Sequence, residues 1–338
     1  MAFQEGAASN LNSFFTSLRT FAASNGFTNN GTRTVNTDKT LHTVSKGGIY
    51  WNFEETLLLA AAGNIKNAYY SRMRMTYDLP AAEDAFTQTS HNGQPRFTAF
   101  GAYSSAGPYT KYYFFSHSDC IHAVLEIFPN VFSHLSFGVM TKYGTWTGGE
   151  YLTASSCRRQ DTSAPYEYQY QVQNSNSFPF PYNGGSSHNA VNTGGVSSGF
   201  NLSCRSMIRN VTVGTPSSLD FATAGEILNQ QQSRFFGVFD EASTSPEPYT
   251  FVITHGANSF NQRASSYPMY AQLQDISTTS HLFRFAGILP GVRMISTKNI
   301  VPKEIVDTNW QVFSASQKDG DDQISGLSGS IGITYLRS

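Results

Sequence analysis

The sequence predicts an α+β protein, mostly antiparallel β with an N-terminal amphipathic helix and long loops, and three observations predict it. Residues 109–151 alternate apolar and polar positions on either side of a short turn, which is the period of paired strands. Residues 11–22 carry apolar side chains at helical spacing. Residues 174–201 contain Phe-Pro repeats and Gly-Gly steps that break both periods.

The helix comes first along the chain. Leu11, Phe14, Phe15, Leu18, Phe21 and Ala22 recur at i, i+3, i+4 and i+7, Ser9 or Asn10 caps the start, and Gly26 suits a left-handed stop. Residues 29–46 are polar and Thr-rich, and are expected to be a loop or a flexible arm. Residues 54–63 admit a short helix, whereas 68–79, AYYSRMRMTYDL, suit a strand.

The next element is a hairpin spanning residues 120–140. Ile121, Ala123, Leu125 and Ile127 share one face of the first strand, and His122, Val124, Glu126 and Phe128 share the other. Pro129 and Asn130 form the turn, and Val131, Ser133, Leu135, Phe137 and Val139 return along the second strand. This hairpin is expected to form the central sheet. A second helix is expected to begin at Phe221 or Thr223. Short strands follow at 234–240, 249–254, 281–286, 310–314 and 330–335. No repeat of solenoid or propeller length is visible.

The organisation expected is a helix and polar arm at 1–46, a β-rich core with the hairpin at 47–173, an extended loop or arm at 174–201, and a second β-rich part at 202–338. That last part either stands apart or belongs to the same domain. At 338 residues, the chain admits one elaborated domain or two intimately joined ones.

Composition narrows the class. Only 13% of residues are charged, so Ser, Thr, Asn, Gln and Gly must cover much of the surface, as suits a surface lying against neighbouring subunits. Aromatics reach 14%, with 26 Phe and 18 Tyr, which serve both strand cores and contact surfaces. The net charge is −1, and Arg72 with Arg74 and Arg158 with Arg159 are the nearest approach to a basic patch, so direct nucleic-acid binding is not expected. Cys120, Cys157 and Cys204 are odd in number and lack CxxC spacing, which fits folding in a reducing cytosol. The opening MAFQEGAASN has neither a basic nor an apolar signal region, and the longest apolar run, 57–63, is too short to span a bilayer, so a soluble, non-membrane chain is expected.

Several constellations invite a chemical reading. Gly195-Val-Ser197-Ser-Gly199 fits the nucleophile elbow, with Asp220, Asp240 or Asp275 and His255 or His281 following in hydrolase order, but no apolar strand precedes it. Asp119, Cys120, His122 and His134 suggest zinc, yet Asp119 points away from Cys120 and His122 on a strand. A histidine bonded across the sheet fits better, with Glu126 as partner of His122. Asp319, Asp321 and Asp322 lack the further ligands of a calcium loop. Glu54-Glu55 and Asp240-Glu241 are adjacent carboxylates that point apart. Gly326 to Gly332 lies too late to open a dinucleotide-binding helix, and the sequons at Asn30, Asn201 and Asn210 carry little weight in so polar a chain. No catalytic, cofactor-binding or metal-binding residue is therefore assigned. No cofactor or small-molecule substrate is expected.

The run FPNVFSHLSFGVMTKYGTWTGGEY, from Phe128 to Tyr151, resembles a pattern found in structural proteins of tailed bacteriophages: strand, short turn, aromatic-x-His-Leu-x-Phe-Gly, a Lys-Tyr-Gly step and a Gly-Gly-Glu-Tyr step. FAGILPGVRMISTKNIVPKEIV, NWQVFSASQ and GSIGITYLRS are similar to the close of such proteins. The resemblance implies a non-enzymatic virion component of the tail, at the baseplate or near the tube. Its partners would be other copies of itself and other tail and baseplate proteins, and it would fold and assemble in the host bacterial cytoplasm. A neck or head-vertex component, or a host-surface protein holding carbohydrate on its polar and aromatic loops, are the alternatives. Residues 174–201 are then expected to be an arm that embraces a neighbour.

Overall fold

The computed structural model describes residues 1–36, 39–58, 68–77, 79, 98–102, 107–154, 156–159, 168–169, 207–211, 221–223, 231–236, 266–276, 281–296, 300–314 and 331–338. These residues form one helix and three seven-stranded sheets. The central sheet runs β1 (Ala2–Ala8), β7 (Tyr109–His117), β8 (Cys120–Phe128), β9 (Val131–Val139), β11 (Thr147–Ala154), β14 (Met207–Val211) and β15 (Phe221–Thr223). The second sheet runs β13 (Tyr168–Gln169), β12 (Ser156–Arg159), β6 (Thr98–Ala102), β5 (Ala68–Thr76), β4 (Ile49–Leu58), β3 (Lys39–Lys46) and β2 (Thr28–Asn36). The third runs β16 (Gln231–Phe236), β17 (Ser266–Ile276), β18 (His281–Ser296), β21 (Ile331–Leu336), β20 (Trp310–Ser314) and β19 (Ile305–Val306), with β10 (Thr141–Lys142) beside β18. The described pairs are antiparallel except β12 with β6.

The sequence reading of the first helix and the hairpin holds in detail. α1 (Leu11–Ser24) starts at Asn10, whose side chain accepts from the Ser13 N–H while the Ser13 hydroxyl accepts from the Asn10 N–H, a reciprocal capping box. It stops where Gly26 takes φ +88 and the Phe27 N–H reaches back to the Ala22 carbonyl. The hairpin of β8 and β9 turns at Pro129 and Asn130, the latter at φ +61. β9 is the fourth of seven strands, so the hairpin is central.

Alternation along these strands feeds two cores rather than one. Ile121, Ala123, Leu125, Leu135 and Phe137 pack with Phe14, Phe15 and Leu18 of α1 and with Trp51, Phe53 and Met73 of the second sheet. The opposite face of the central sheet, with Tyr113, Phe115, Val124, Phe132 and Tyr151, packs against Leu289, Phe313, Ile333 and Tyr335 of the third sheet. The centre of the molecule is therefore a sheet buried on both faces between two layers.

The third sheet lies across the central strands. Passing along β8 from His122 to Glu126, the neighbours above are Pro290 of β18, Tyr335 of β21, Phe313 of β20 and Lys303, which precedes β19. The third sheet's strand order thus follows the length of the central strands. β9 continues into β10, which joins the third sheet at Thr141↔Ile288, so the chain turns a corner between layers there.

Three expectations are corrected, and a fourth is met by a longer strand. Thr28–Asn36 and Lys39–Lys46 are strands β2 and β3, not a loop or arm, because their Thr, Asn and Arg side chains bond sideways: Arg33 donates to the Thr43 hydroxyl (2.6 Å), Thr43 to Asn52 (2.9 Å) and Asn52 to Thr76 (2.9 Å). Residues 54–58 belong to strand β4 instead of a helix, paired on both sides by β3 and β5. The second helix expected at Phe221 or Thr223 is strand β15 at those positions, held by β14. The strand expected at 281–286 extends through Ser296, continuing past Gly287 and Gly291. The loop at 174–201 and the strand expected at 249–254 lie outside the described residues. β1, from the N-terminal segment, and β14, from the C-terminal segment, both join the central sheet.

Candidate functional site: a buried polar seam between two sheets

The side chains that carry chemistry in the hairpin gather at the boundary between the central and third sheets. Cys120, His122, His134 and Ser136 are all fully buried. The alternation that sends Ile121, Ala123 and Leu135 to the helix side sends these four to the third-sheet side.

Hydrogen bonds there run in one direction. The Pro290 carbonyl can only accept, so His122 Nε2 carries the proton and donates to it at 2.8 Å. His122 Nδ1 then accepts from the Ser136 hydroxyl at 2.6 Å. With its only proton used, Ser136 Oγ accepts from the Tyr151 hydroxyl at 2.8 Å. Beside this chain, His134 Nδ1 and the Tyr335 hydroxyl share a bond of 2.9 Å, and the Cys120 thiol donates to the Val139 carbonyl at 2.9 Å. His134 also stacks on the Tyr335 ring.

Burial sets the protonation states. It lowers His122 to about 3, so the ring is neutral. It raises the Cys120 thiol to about 12, far from a nucleophilic thiolate. Tyr151 and Tyr335 are likewise raised well above their ordinary value by burial. In the Ser–His pair at 2.6 Å the ring nitrogen facing the hydroxyl is unprotonated, as a general base requires, but both members are enclosed and no substrate atom can reach them. What the seam does is fasten one sheet to the next.

The structure separates the groups that suggested zinc. Asp119 is on the surface in an ion pair with Lys46 (2.7 Å), while Cys120 and His122 point inward to different partners. Among the described residues no group of three His, Cys, Asp or Glu side chains converges. The expected partner of His122 is corrected: Ser136 lies directly across the ladder from it, whereas Glu126 accepts from Lys303 (3.0 Å) and from the Asn130 N–H (3.0 Å). Glu54 is buried and Glu55 half-buried, on opposite faces of β4. Asp275 and His281 lie on paired strands, one register step apart. Ser197, Asp220, Asp240, Glu241, His255, Asp319, Asp321 and Asp322 lie outside the described residues.

Sequence reasoning missed Tyr151, Tyr335 and the Pro290 carbonyl. Tyr335 follows His134 by 201 positions, and no local spacing signals such a contact. The alternation of GITYL did place Tyr335 on one face with Ile333, and that was the available signal.

A scan of protein-family models finds no match to the chain, and neither does a search of curated proteins. Among the described residues no helix is long and apolar enough to cross a membrane.

Proposed function

We propose that this chain is a non-enzymatic structural component of a tailed-phage particle, placed in the tail at the baseplate or near the tube, and that it works by association with copies of itself and with other tail proteins. One observation carries the reading. The segment that resembles phage structural proteins, from Phe128 to Tyr151, supplies the middle of the central sheet; its His134 is bonded to Tyr335 of the third sheet, and its Ser136 and Tyr151 hydroxyls are bonded to each other within the central sheet, rather than presented to a substrate. Such a segment specifies a scaffold. The low content of charged residues agrees with a surface meant for neighbours.

The test is location. Antibodies raised against the purified chain should detect it in density-purified particles of the phage that encodes it, and gold labelling should mark the distal tail. Label at the neck would move the chain to the head–tail junction. Its absence from purified particles would end the proposal.

A further inference from the structure

Large apolar side chains that the fold leaves in solvent gather at opposite ends of the central strands. At one end lie the β7–β8 turn, the end of β9 and the start of β11. Lys46 binds Asp119 there (2.7 Å), which brings the β3–β4 turn to the same end, and Tyr50↔Thr76 brings the end of β5 with it. Tyr143 and Leu79 are exposed at this end, by 45% and 46%. The Tyr143 loop is braced. Lys142 lies over the Trp146 ring at 5.5 Å and donates to the Trp146 carbonyl at 2.9 Å, and Trp146 packs on the core beneath.

The other end holds the Pro129–Asn130 turn and the segment before β19, tied to it by Lys303 on Glu126. Here Val301 and Ile305 are exposed by 70% and 43%. This knuckle is also fixed: the Lys303 N–H donates to the Val312 carbonyl, the Glu304 N–H to the Val301 carbonyl, and Lys303, Asp307 and Thr308 all sit at positive φ. β8 has nine residues, so the two ends lie about 30 Å apart.

Charge distinguishes the ends. Among the described residues, exposed Lys142 has no carboxylate partner at the first end, and exposed Asp307 has no cationic partner at the second. Both ends present apolar groups, and among the described residues the exposed charges left over, Lys142 and Asp307, are opposite. We infer that the Tyr143–Leu79 end of one copy docks on the Val301–Ile305 end of the next, joining copies head to tail along the direction of the central strands. This is a heterologous contact, in which each molecule offers two different surfaces. It deepens the self-association in the proposed function, and rests on that reading only for its setting in a particle.

The experiment is a complementation in solution with the full chain. Sedimentation of the wild type should show association that grows with concentration. Tyr143→Asp and Val301→Asp, each at an exposed position, should each weaken self-association by about tenfold or more, since a buried anchor is replaced by a charge. Mixed in equal amounts, the two variants should form a heterodimer that grows no further, because each keeps the surface the other lacks. Lys142→Glu and Ile305→Lys repeat the design should either first variant misfold by circular dichroism. A wild type that stays monomeric, a single variant that associates like wild type, or a folded mixture that stays monomeric would each overturn the inference. None of those outcomes bears on whether the chain is found in particles.

Discussion

Gly138 shows how one position can be fixed by its neighbours. It sits in β9 at φ +134, and a Cβ there would lie 2.2 Å from the Asp119 carbonyl oxygen and 2.7 Å from the Cys120 Cα. Glycine alone satisfies both the backbone angle and the close approach of β8. Gly138→Ala should destabilise the fold by about 2 to 4 kcal/mol, because the contact is with backbone that cannot swing aside. Urea denaturation of the purified variant measures this, and an unchanged midpoint would mean that the β8–β9 ladder is looser than described. The sequence shows this glycine within the aromatic-x-His-Leu-x-Phe-Gly step, but not the reason for it. For His122 a bond across the sheet is legible and Ser136 supplies it, but the partners themselves are not, since nothing in the strand's own alternation signals Ser136 opposite or the Pro290 carbonyl of another sheet.

Elements were legible where their signals were local. The helix cap at Asn10 and the stop at Gly26 are decided within a few residues, and the Pro129–Asn130 turn sets the register of β8 on β9. β2 and β3 fall in the stretch expected to be a loop or a flexible arm because its polar residues show no apolar alternation, and the bonds among Arg33, Thr43 and Asn52 that satisfy them come partly from another strand. The hairpin's weight in the fold can be measured at Leu135. It is fully buried, and its partners across the ladder are Ala123 on one side and Ala154 on the other. Two alanines cannot close over a hole, so Leu135→Ala should cost about 3 to 5 kcal/mol, toward the upper end for such truncations. A midpoint close to wild type under chemical denaturation would show that the central sheet is not what holds the layers together.

At the scale of the whole molecule, stacking three sheets puts polar groups where no single strand shows them to be buried, and this is why the layer order could not be read from the chain. It also makes the fold sensitive to acid. His122, between the central and third sheets, is lowered to about 3 by burial, and His42, which accepts from the Arg19 guanidinium beneath α1, is lowered to about 3 by burial and by the Arg19 charge. The ordinary value is 6.5. Between these values the unfolded chain binds protons that the folded chain refuses, so stability is complete above about pH 7 and falls as pH drops from about 6.5 toward 3, by up to about 1.4 kcal/mol per pH unit for each ring. The midpoint of urea unfolding should therefore be level between pH 7 and 8 and decline steadily from pH 6 to pH 4. His122→Phe lowers the midpoint at neutral pH by removing two hydrogen bonds, but its decline with acid should be shallower than that of the wild type, since one of the refusing rings is gone. A wild-type midpoint at pH 4.5 equal to that at pH 7.5 would mean that the histidines are not held neutral, and a variant as acid-sensitive as the wild type would remove His122 from the seam that joins the layers.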